Sequence, residues 1–207
     1  MTERAPHPEG LAALYAAMVQ GLADYVNKNG FPGVVLGLSG GIDSGITAVV
    51  AVDALGRDRV HCVMMPSRYT SKESLEDAEA CAKALGVTYR SIGIEPGVEA
   101  FDKMLAPTFD NLPKDVTEEN IQSRLRGVIL MALSNKFGDM VLTTGNKSEM
   151  SVGYATLYGD MNGGFNPIKD VYKMQVYALS AWRNTTVPPG ALGPSGEVIP
   201  QNIIDKA

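Results

Sequence analysis

Apolar positions along the chain switch between helical spacing and short continuous runs. Leu11, Leu14, Met18 and Leu22 recur every three or four residues, which predicts a helix that ends near Gly30. Four short runs of mostly apolar or β-branched residues predict strands. These runs are residues 34–36, 59–65, 88–92 and 140–143. Because helical segments separate the runs, the sequence predicts an α/β fold with a parallel sheet and right-handed crossovers.

Five further segments carry helical spacing or helix end signals. The predicted helices cover residues 45–55, 71–86, 95–105, 117–137 and 172–182. We expect a loop at 107–115, and a functional loop region at 144–170, where Gly, Asn, Asp and Lys are dense. Within 117–137, the segment 127–133 is apolar on all sides, so this helix either lies inside the domain or packs on another subunit.

Residues that could bind a ligand are concentrated between the first predicted strand and the helix after it. Residues 39–44 are Ser-Gly-Gly-Ile-Asp-Ser, so two glycines, two hydroxyls and a carboxylate share one strand–turn–helix junction. The free N–H groups of a helix start, with the hydroxyls of Ser39 and Ser44, favour a phosphate. Asp43 would repel a phosphate unless Mg²⁺ lay between them. In the structural alternative, Asp43 caps the helix and the glycines form a tight turn.

Composition is that of an ordinary folded domain. With 207 residues, 45% hydrophobic and 20% charged, the chain can bury a full core. Its net charge of −5 argues against a nucleic-acid surface, whereas a nucleotide site needs only a few local cations. We interpret Cys62 and Cys81 as reduced core residues, and His7 and His61 are too few for a zinc site. The sequence shows neither an apolar signal core nor a membrane-spanning run, so we expect a cytoplasmic protein without nucleic-acid or membrane partners.

The loop at 39–44 resembles that of the ATP pyrophosphatases, and four further motifs follow it in order. They are N-I-Q-S-R-L-R at 120–126, L-T-T-G-N-K-S-E at 142–149, V-G-Y-A-T-L-Y-G-D at 152–160 and I-K-D-V-Y-K at 168–173. Together these motifs resemble the synthetase domain of NAD synthetases, and the sequence of residues 142–160 is most similar to the glutamine-dependent branch. The resemblance covers about residue 11 to the end. It implies a Rossmann-like adenine-nucleotide α-hydrolase fold, with a five-stranded parallel sheet and helices on both faces.

The resemblance implies a carbon–nitrogen ligase that works in two steps. The nicotinate carboxylate of deamido-NAD attacks the α-phosphate of ATP, which gives an adenylate and pyrophosphate. Ammonia then displaces AMP and leaves the amide of NAD. Since water would hydrolyse the adenylate, the site must close during turnover. ATP is the implied co-substrate, and Mg²⁺ the implied cofactor.

Matching the motifs residue by residue gives the roles that the resemblance implies. The ATP ligands are Ser39, Gly40, Gly41, Asp43, Ser44, Arg68, Thr144 and Lys173, and the deamido-NAD ligands are Arg124, Asp160 and Lys169. Asp43 and Glu149 hold Mg²⁺, while Asp43 and Lys173 are the catalytic residues. Structural alternatives stay open: Glu149 as a first-turn acid, Thr144 as a cap, Arg68 in an ordinary polar loop, and Lys169 and Lys173 as surface charges.

Two features depart from the family pattern. The chain shows no amidase domain and no nucleophilic cysteine constellation, so we expect it to use free ammonia, while an amidase domain or subunit would belong to a full-length parent. Family members continue past its end with a segment that covers the substrates. We therefore expect 1–207 to be a single NAD synthetase domain with a truncated C-terminal end and a loose lead-in at 1–8. The helix at 117–137 resembles the family's dimer helix, so we expect a homodimer.

Two rival functions use the same residues. One is another ligase with this loop, such as GMP synthetase or a tRNA-thiolating enzyme, but the T-T-G-N-K-S-E stretch and the lack of a basic RNA surface argue against it. The other is a non-catalytic module that binds ATP without splitting it. Asp43 and Glu149 distinguish the synthetase from the non-catalytic module, because adenylation needs a metal site with two carboxylates, whereas a protein that only senses ATP does not.

Overall fold

Strands and helices alternate along the polypeptide as the hydrophobic pattern predicts. The computed structural model describes residues 9–110 and 112–206, so the predicted lead-in at 1–8 lies outside the described residues. The strands are β1 (Val34–Gly37), β2 (Val60–Met64), β3 (Thr88–Ser91) and β4 (Met140–Val141). The helices are α1 (Gly10–Lys28), α2 (Ile42–Leu55), α3 (Lys72–Leu85), α4 (Glu95–Phe109), α5 (Val116–Phe137), α6 (Lys147–Val152), α7 (Lys173–Thr185) and α8 (Gln201–Asp205), with a 3₁₀ turn at Arg57–Arg59.

The sheet is parallel throughout, with the strand order β3-β2-β1-β4. Side chains of β1 alternate between two cores, as the pleat of a strand requires. Val34 and Leu36 belong to the core that also contains residues of α1, α2 and α7. Val35 belongs to the second core, with Val98 of α4 and Leu130 of α5. Helices therefore cover both faces, which confirms the α/β prediction.

The sheet has four strands within the described residues, so the expectation of five is wrong. Beyond β4 there is a single parallel bridge between Leu142 and Phe165, where the Thr143 amide donates to the Phe165 carbonyl at 3.0 Å. A side chain at Gly163 would collide with the backbone of β4. Pro167, two residues after Phe165, has no N–H with which to continue a ladder. Residues 163–165 thus meet the sheet edge at this bridge and through the Gly164 amide, which donates to the Val141 carbonyl at 2.8 Å, without forming a strand.

Some helix boundaries also differ from the prediction. α4 continues past Pro107 to Phe109, where a loop was expected, because a proline near the end of a helix removes only one terminal hydrogen bond. α6 interrupts the predicted loop region at 144–170, and α8 forms near the C-terminus where no helix was predicted. Both are short, so their sequences carry little periodicity.

Both cysteines lie in the core as free thiols, as predicted. Burial raises the pKa of the Cys62 thiol far above its usual range and the pKa of the Cys81 thiol to about 12. The neighbouring Cys81 adds to the first effect, and the charge of Asp77 adds to the second. Both thiols are therefore un-ionised near neutral pH. Among residues 9–110 and 112–206, no helix is long and apolar enough to cross a membrane.

Candidate functional site

The loop between β1 and α2 is shaped by its own hydroxyls and by glycine. Gly40 has a φ of +79°, and a side chain there would collide with the backbone oxygen of Ser74 in α3. Ser44 Oγ donates to the Gly41 carbonyl at 2.9 Å, and the Gly41 amide donates to Ser39 Oγ at 3.3 Å. Because Ser39 and Gly41 are exposed, the start of α2 is open to an anion.

Asp43, in the first turn of α2, is bound by side chains from two distant segments. Asn146 Nδ2 donates to Asp43 Oδ1 at 2.9 Å, and the Lys173 ammonium pairs with Asp43 Oδ2. Asn146 caps α6, and Lys173 is the first residue of α7. These partners are 103 and 130 residues from Asp43 in the sequence, so the fold assembles the cluster.

Glu149 joins the same cluster through a reciprocal cap. The Glu149 amide donates to Asn146 Oδ1, and the Asn146 amide donates to Glu149 Oε2, both at 3.0 Å. Burial raises the pKa of the Glu149 carboxyl, the Asn146 amide partly opposes this, and the charge of Asp43 raises the pKa further. Glu149 is therefore a first-turn acid, as the structural alternative proposed, and it also lies within electrostatic reach of Asp43.

A cavity of about 510 Å³ opens beside this cluster. Thr144, Glu149 and Asp160 line it, together with Asn120 and Ser123 from α5. Ser123 Oγ donates to Asp160 Oδ1 at 2.9 Å, and the Asp160 amide donates to Ser123 Oγ at 3.2 Å. The cavity therefore brings together predicted site residues from two motifs, 142–149 and 152–160, and α5 supplies part of its wall.

Three predicted side chains belong neither to the 39–44 loop, nor to the cluster around Asp43, nor to the lining of this cavity. Arg124, next to Ser123 on α5, is exposed and its Nε donates to the Leu157 carbonyl at 3.2 Å. The Arg68 guanidinium pairs with Glu95, with Nε 2.6 Å from Oε1. Lys169 is exposed and its ammonium lies 3.8 Å from a carboxylate oxygen of the adjacent Asp170. Arg68 and Lys169 have the environment of surface charges here.

Asn146 is a functional candidate that the sequence pattern did not single out. Asn146 is only 1% exposed, and its side-chain and backbone amides donate to the two predicted metal-binding carboxylates, of Asp43 and Glu149. The Asn-x-x-Glu spacing at 146–149 is a visible capping-box signal. Contact with Asp43 has no local signal, because it depends on β1 and β4 lying side by side.

The oxygen ligands that Asp43 and its neighbours offer fit a hard divalent cation that is also bound by a phosphate. Mg²⁺ in nucleotide sites is held by one or two carboxylates and by phosphate oxygens. Asp43 and Glu149 supply two carboxylates, and a cation would relieve the repulsion that helps to raise the Glu149 pKa. In the part of the chain that the structure describes, no group of three or more His, Cys, Asp or Glu side chains could hold a metal. Metal binding here would therefore depend on the nucleotide.

Comparison with known proteins identifies the family. The model of the NAD synthase family matches residues 14–207. The chain belongs to the NAD synthase family. A curated relative, the glutamine-dependent NAD(+) synthetase of Rhodobacter capsulatus, is 60% identical over 192 residues, which cover 93% of this chain. The chain spans about 35% of that relative's length. This identity places the chain with the glutamine-dependent branch of the NAD synthases, as the motifs predicted.

Solved structures of NAD synthetases share the fold. The glutamine-dependent NAD+ synthetase from Acinetobacter baumannii, in complex with ADP, matches with a TM-score of 0.92 at 51% identity, over 100% of this chain and 38% of that chain. The NH3-dependent NAD synthetase from Campylobacter jejuni, in complex with nitrate, matches with a TM-score of 0.81 at 32% identity, over 95% and 77% of the two chains. The adenine-nucleotide α-hydrolase fold is thus confirmed, and these relatives are ligases.

Proposed function

We propose that this chain forms NAD by the ATP-dependent amidation of deamido-NAD. The observation that carries the proposal is the meeting of Asp43, Asn146, Glu149 and Lys173 beside the 39–44 loop. A phosphate loop alone would only bind an anion. Two carboxylates and a lysine beside that loop are suited to separating pyrophosphate from a nucleotide. Membership of the NAD synthase family supports the same reaction.

The proposed reaction has two balanced steps. A carboxylate oxygen of the nicotinate ring attacks the α-phosphorus of ATP, the bond from that phosphorus to the bridging oxygen breaks, and pyrophosphate leaves with the electron pair. The nitrogen of ammonia then attacks the activated carbonyl carbon and loses one proton. The bond from that carbon to the AMP oxygen breaks, and AMP leaves.

The 39–44 loop would hold the phosphates that leave as pyrophosphate. Gly40 and Gly41 let the backbone approach them, and the amides at the start of α2, with Ser39 and Ser44, supply donors. The Lys173 ammonium pairs with Asp43 in the structure. In the ATP complex we expect it to turn towards the phosphates, whose charge exceeds that of one carboxylate.

Asp43 and Glu149 would hold Mg²⁺ when the nucleotide is bound. The cation supplies positive charge that stabilises the negative charge on the departing pyrophosphate. Asn146 keeps the two carboxylates close by bonding one with its side-chain amide and the other with its backbone.

The remaining cavity residues would bind the rest of the two substrates. Thr144 follows β4 at the carboxyl edge of the sheet, which suits the ATP nucleoside. Asp160 and Arg124 would contact deamido-NAD, where a planar guanidinium matches a phosphate or carboxylate. The proposed roles of Arg68 at ATP and Lys169 at deamido-NAD rest on the motifs alone, since their contacts with Glu95 and Asp170 would first have to open.

Ammonia would be the nucleophile whatever supplies it. Cys62 and Cys81 are buried with raised pKa values, so neither can serve as an amidase nucleophile. The Rhodobacter relative is glutamine-dependent, and the chain spans about 35% of it. We therefore propose that an amidase domain or subunit supplies ammonia in the whole protein, and that this chain by itself uses free ammonia.

The test is pyrophosphate release from ATP and Mg²⁺ by the full chain, with deamido-NAD and ammonium each present or omitted. We expect release only when deamido-NAD is present, and NAD, identified by mass spectrometry, only when ammonium is added as well. Asp43→Asn should lower kcat/KM by on the order of 100-fold or more, because it removes the carboxylate shared by Lys173 and the metal. Asp58→Asn is the matched control, since that side chain is 97% exposed.

Two results would contradict the proposal. Pyrophosphate release that is independent of deamido-NAD would indicate another acceptor. ATP binding without pyrophosphate release in the presence of all substrates would favour the non-catalytic module.

A further inference from the structure

Two ion pairs join the same two helices. α2 and α7 run parallel, because Asp43 meets Lys173 at their N-terminal ends and Asp53 meets Arg183 at their C-terminal ends. The spacing is identical on both helices: the two aspartates are ten positions apart, and so are the two cations. At a rise of about 1.5 Å per residue, the pairs lie about 15 Å apart along each helix. One pair is at the candidate site and the other is deep in the core.

The core pair is buried and bidentate. Arg183 is 0% exposed and Asp53 is 1% exposed. Arg183 Nε donates to Asp53 Oδ2 at 2.7 Å, and its Nη2 donates to Asp53 Oδ1 at 2.9 Å. Tyr15 of α1 donates its hydroxyl to Asp53 Oδ2 at 2.5 Å, and Arg183 Nη2 also donates to the Pro194 carbonyl at 2.8 Å. Each carboxylate oxygen therefore has a directed donor.

Such a pair fixes geometry better than it adds stability. Removing two charges from water costs about as much as their attraction returns, so buried pairs are often replaceable by apolar residues without loss of stability. The remaining contacts of α7 with the core include the apolar side chains of Val176 and Leu179, which make no directional bond to α2. A fork-shaped guanidinium on a carboxylate fixes both translation and rotation.

We propose that the buried Asp53–Arg183 pair sets the register of α7 on α2 and thereby delivers the Lys173 ammonium to Asp43 and the phosphate loop. The inference rests on the proposed role of Lys173. Arg183 is fully buried, so it acts through Lys173 and is a positioning residue. The Lys173 amide also donates to Ser148 Oγ at 3.1 Å, but that bond ties α7 to α6 and does not set its register on α2.

The test replaces the whole polar cluster in the full chain with apolar groups of similar shape. In Tyr15→Phe/Asp53→Leu/Arg183→Met, none of the three side chains is left as a buried unpaired charge or hydroxyl. We expect a folded protein whose kcat/KM for pyrophosphate release is lower by about tenfold or more. Adding Lys173→Ala should lower kcat/KM by a smaller factor in this variant than in the wild type, because the two changes affect one interaction.

A second readout is independent of activity. The rate at which acetic anhydride acetylates Lys173, measured by mass spectrometry, reports whether its ammonium is paired. Lys169 in the same molecule is the internal reference, since it is exposed. We expect the ratio of the Lys173 rate to the Lys169 rate to rise several-fold in the triple variant. Asp24→Leu/Lys28→Met, which removes an exposed pair on α1, should change neither readout.

Arg183→Lys provides a second variant that retains the charge but lacks the fork. We expect it to lower kcat/KM and to raise the acetylation ratio in the same direction, so the test does not depend on the triple variant folding. Wild-type activity and wild-type Lys173 acetylation in either folded variant would overturn the positioning role. Full activity in Lys173→Ala alone would instead overturn the proposed role of Lys173, and the acetylation ratio would still report the register.

Discussion

Asn146 lies between two carboxylates that would otherwise repel each other. Its side-chain amide donates to Asp43 Oδ1, its side-chain oxygen accepts from the Glu149 amide, and its backbone amide donates to Glu149 Oε2. An aspartate at this position would add a third negative charge, and a serine would lack the amide donor that reaches Asp43. The chemistry of asparagine therefore matches both of its neighbours.

Asn146→Ala should reduce catalysis much more than stability. Loss of the helix cap should cost about 1 kcal/mol of unfolding free energy. Loss of the donor to Asp43 should lower kcat/KM by about 10- to 100-fold, as removal of a residue that orients metal ligands does. Urea unfolding and pyrophosphate release measure the two effects. Asn202→Ala is the control, because Asn202 bonds Asp77 on α3 and should affect stability alone; an unchanged kcat/KM in Asn146→Ala would contradict the role.

Glu149→Gln should stabilise the free protein while strongly reducing turnover. Because the pKa of Glu149 is raised, the folded chain binds this proton more tightly than the unfolded chain does. The free energy of unfolding therefore falls as pH rises from the pKa of the unfolded chain through that of the folded chain, and the ionised side chain opposes folding at pH 7. Removing the charge should raise the free energy of unfolding at pH 7, by at most about 1 kcal/mol because solvent screens a half-buried group. Activity should fall by on the order of 100-fold.

Glu118→Gln is a close control for this change. Glu118 occupies the same position in the capping box of α5, where it accepts from the Asp115 amide at 2.8 Å. Thermal melts at pH 7 without Mg²⁺ or nucleotide compare the two variants. A Glu149→Gln protein that melts below the wild type, or one that retains activity, would contradict the electrostatic account.

At the scale of elements, the β1–α2 loop depends on one glycine for both its conformation and its packing. Gly40→Ala should lower the free energy of unfolding by at least about 2 kcal/mol, because its φ of +79° is strained for alanine and the new methyl would collide with Ser74. Gly30→Ala tests the conformational part alone, since Gly30 has a φ of +73° but no atom within 4 Å of the added carbon. It should lose about 1 kcal/mol.

The loop variants also test whether the loop binds phosphate. ATP affinity, measured by calorimetry below the melting temperature, should fall sharply in Gly40→Ala and stay unchanged in Gly30→Ala. Equal destabilisation of the two proteins would show that the contact with α3 is unimportant. Equal ATP affinity would show that ATP binds elsewhere.

Elements with a strong periodic or apolar pattern were predictable, whereas those set by distant contacts were not. β1, β2 and β3 lie within one or two residues of their predicted bounds, because their runs are flanked by glycine, proline or helix signals. The β4 run continues into Leu142 and Thr143, yet the strand itself ends at Val141. The segment beyond it could not be predicted as a lone bridge, since that depends on Gly163 packing against β4.

At the scale of the whole molecule, the parallel sheet gathers residues that are remote in sequence. The loop after β1 and the segment after β4 meet because these strands are neighbours in the sheet. Predicted residues in the segments that follow those strands, such as Asp43, Thr144 and Glu149, are therefore placed together. Arg68, which follows β2, is paired with Glu95 instead. The sequence pattern does not show such pairings, because they depend on which charged side chains the fold brings together.

The long helix α5 has apolar side chains on both its inner and outer faces. Leu130 is 2% exposed and packs in the second core, whereas Val128 is 64% and Met131 is 40% exposed. An exposed apolar stripe on a helix is typical of an interface. We therefore propose that α5 forms the homodimer contact of this chain.

Val128→Lys should convert the dimer to a monomer, because a lysine in the centre of an apolar interface would lose its hydration without gaining a partner. Light scattering coupled to size-exclusion chromatography should show the mass halved, and the monomer should still melt in one cooperative transition, at a lower temperature because association no longer stabilises the folded chain. Leu192→Lys is the matched control, since Leu192 is 63% exposed and lies outside α5. A wild-type chain that is monomeric at high micromolar concentration, or a Val128→Lys chain that keeps the wild-type dimer mass, would contradict the proposal. The second result would mean that the dimer forms through a surface other than the outer face of α5.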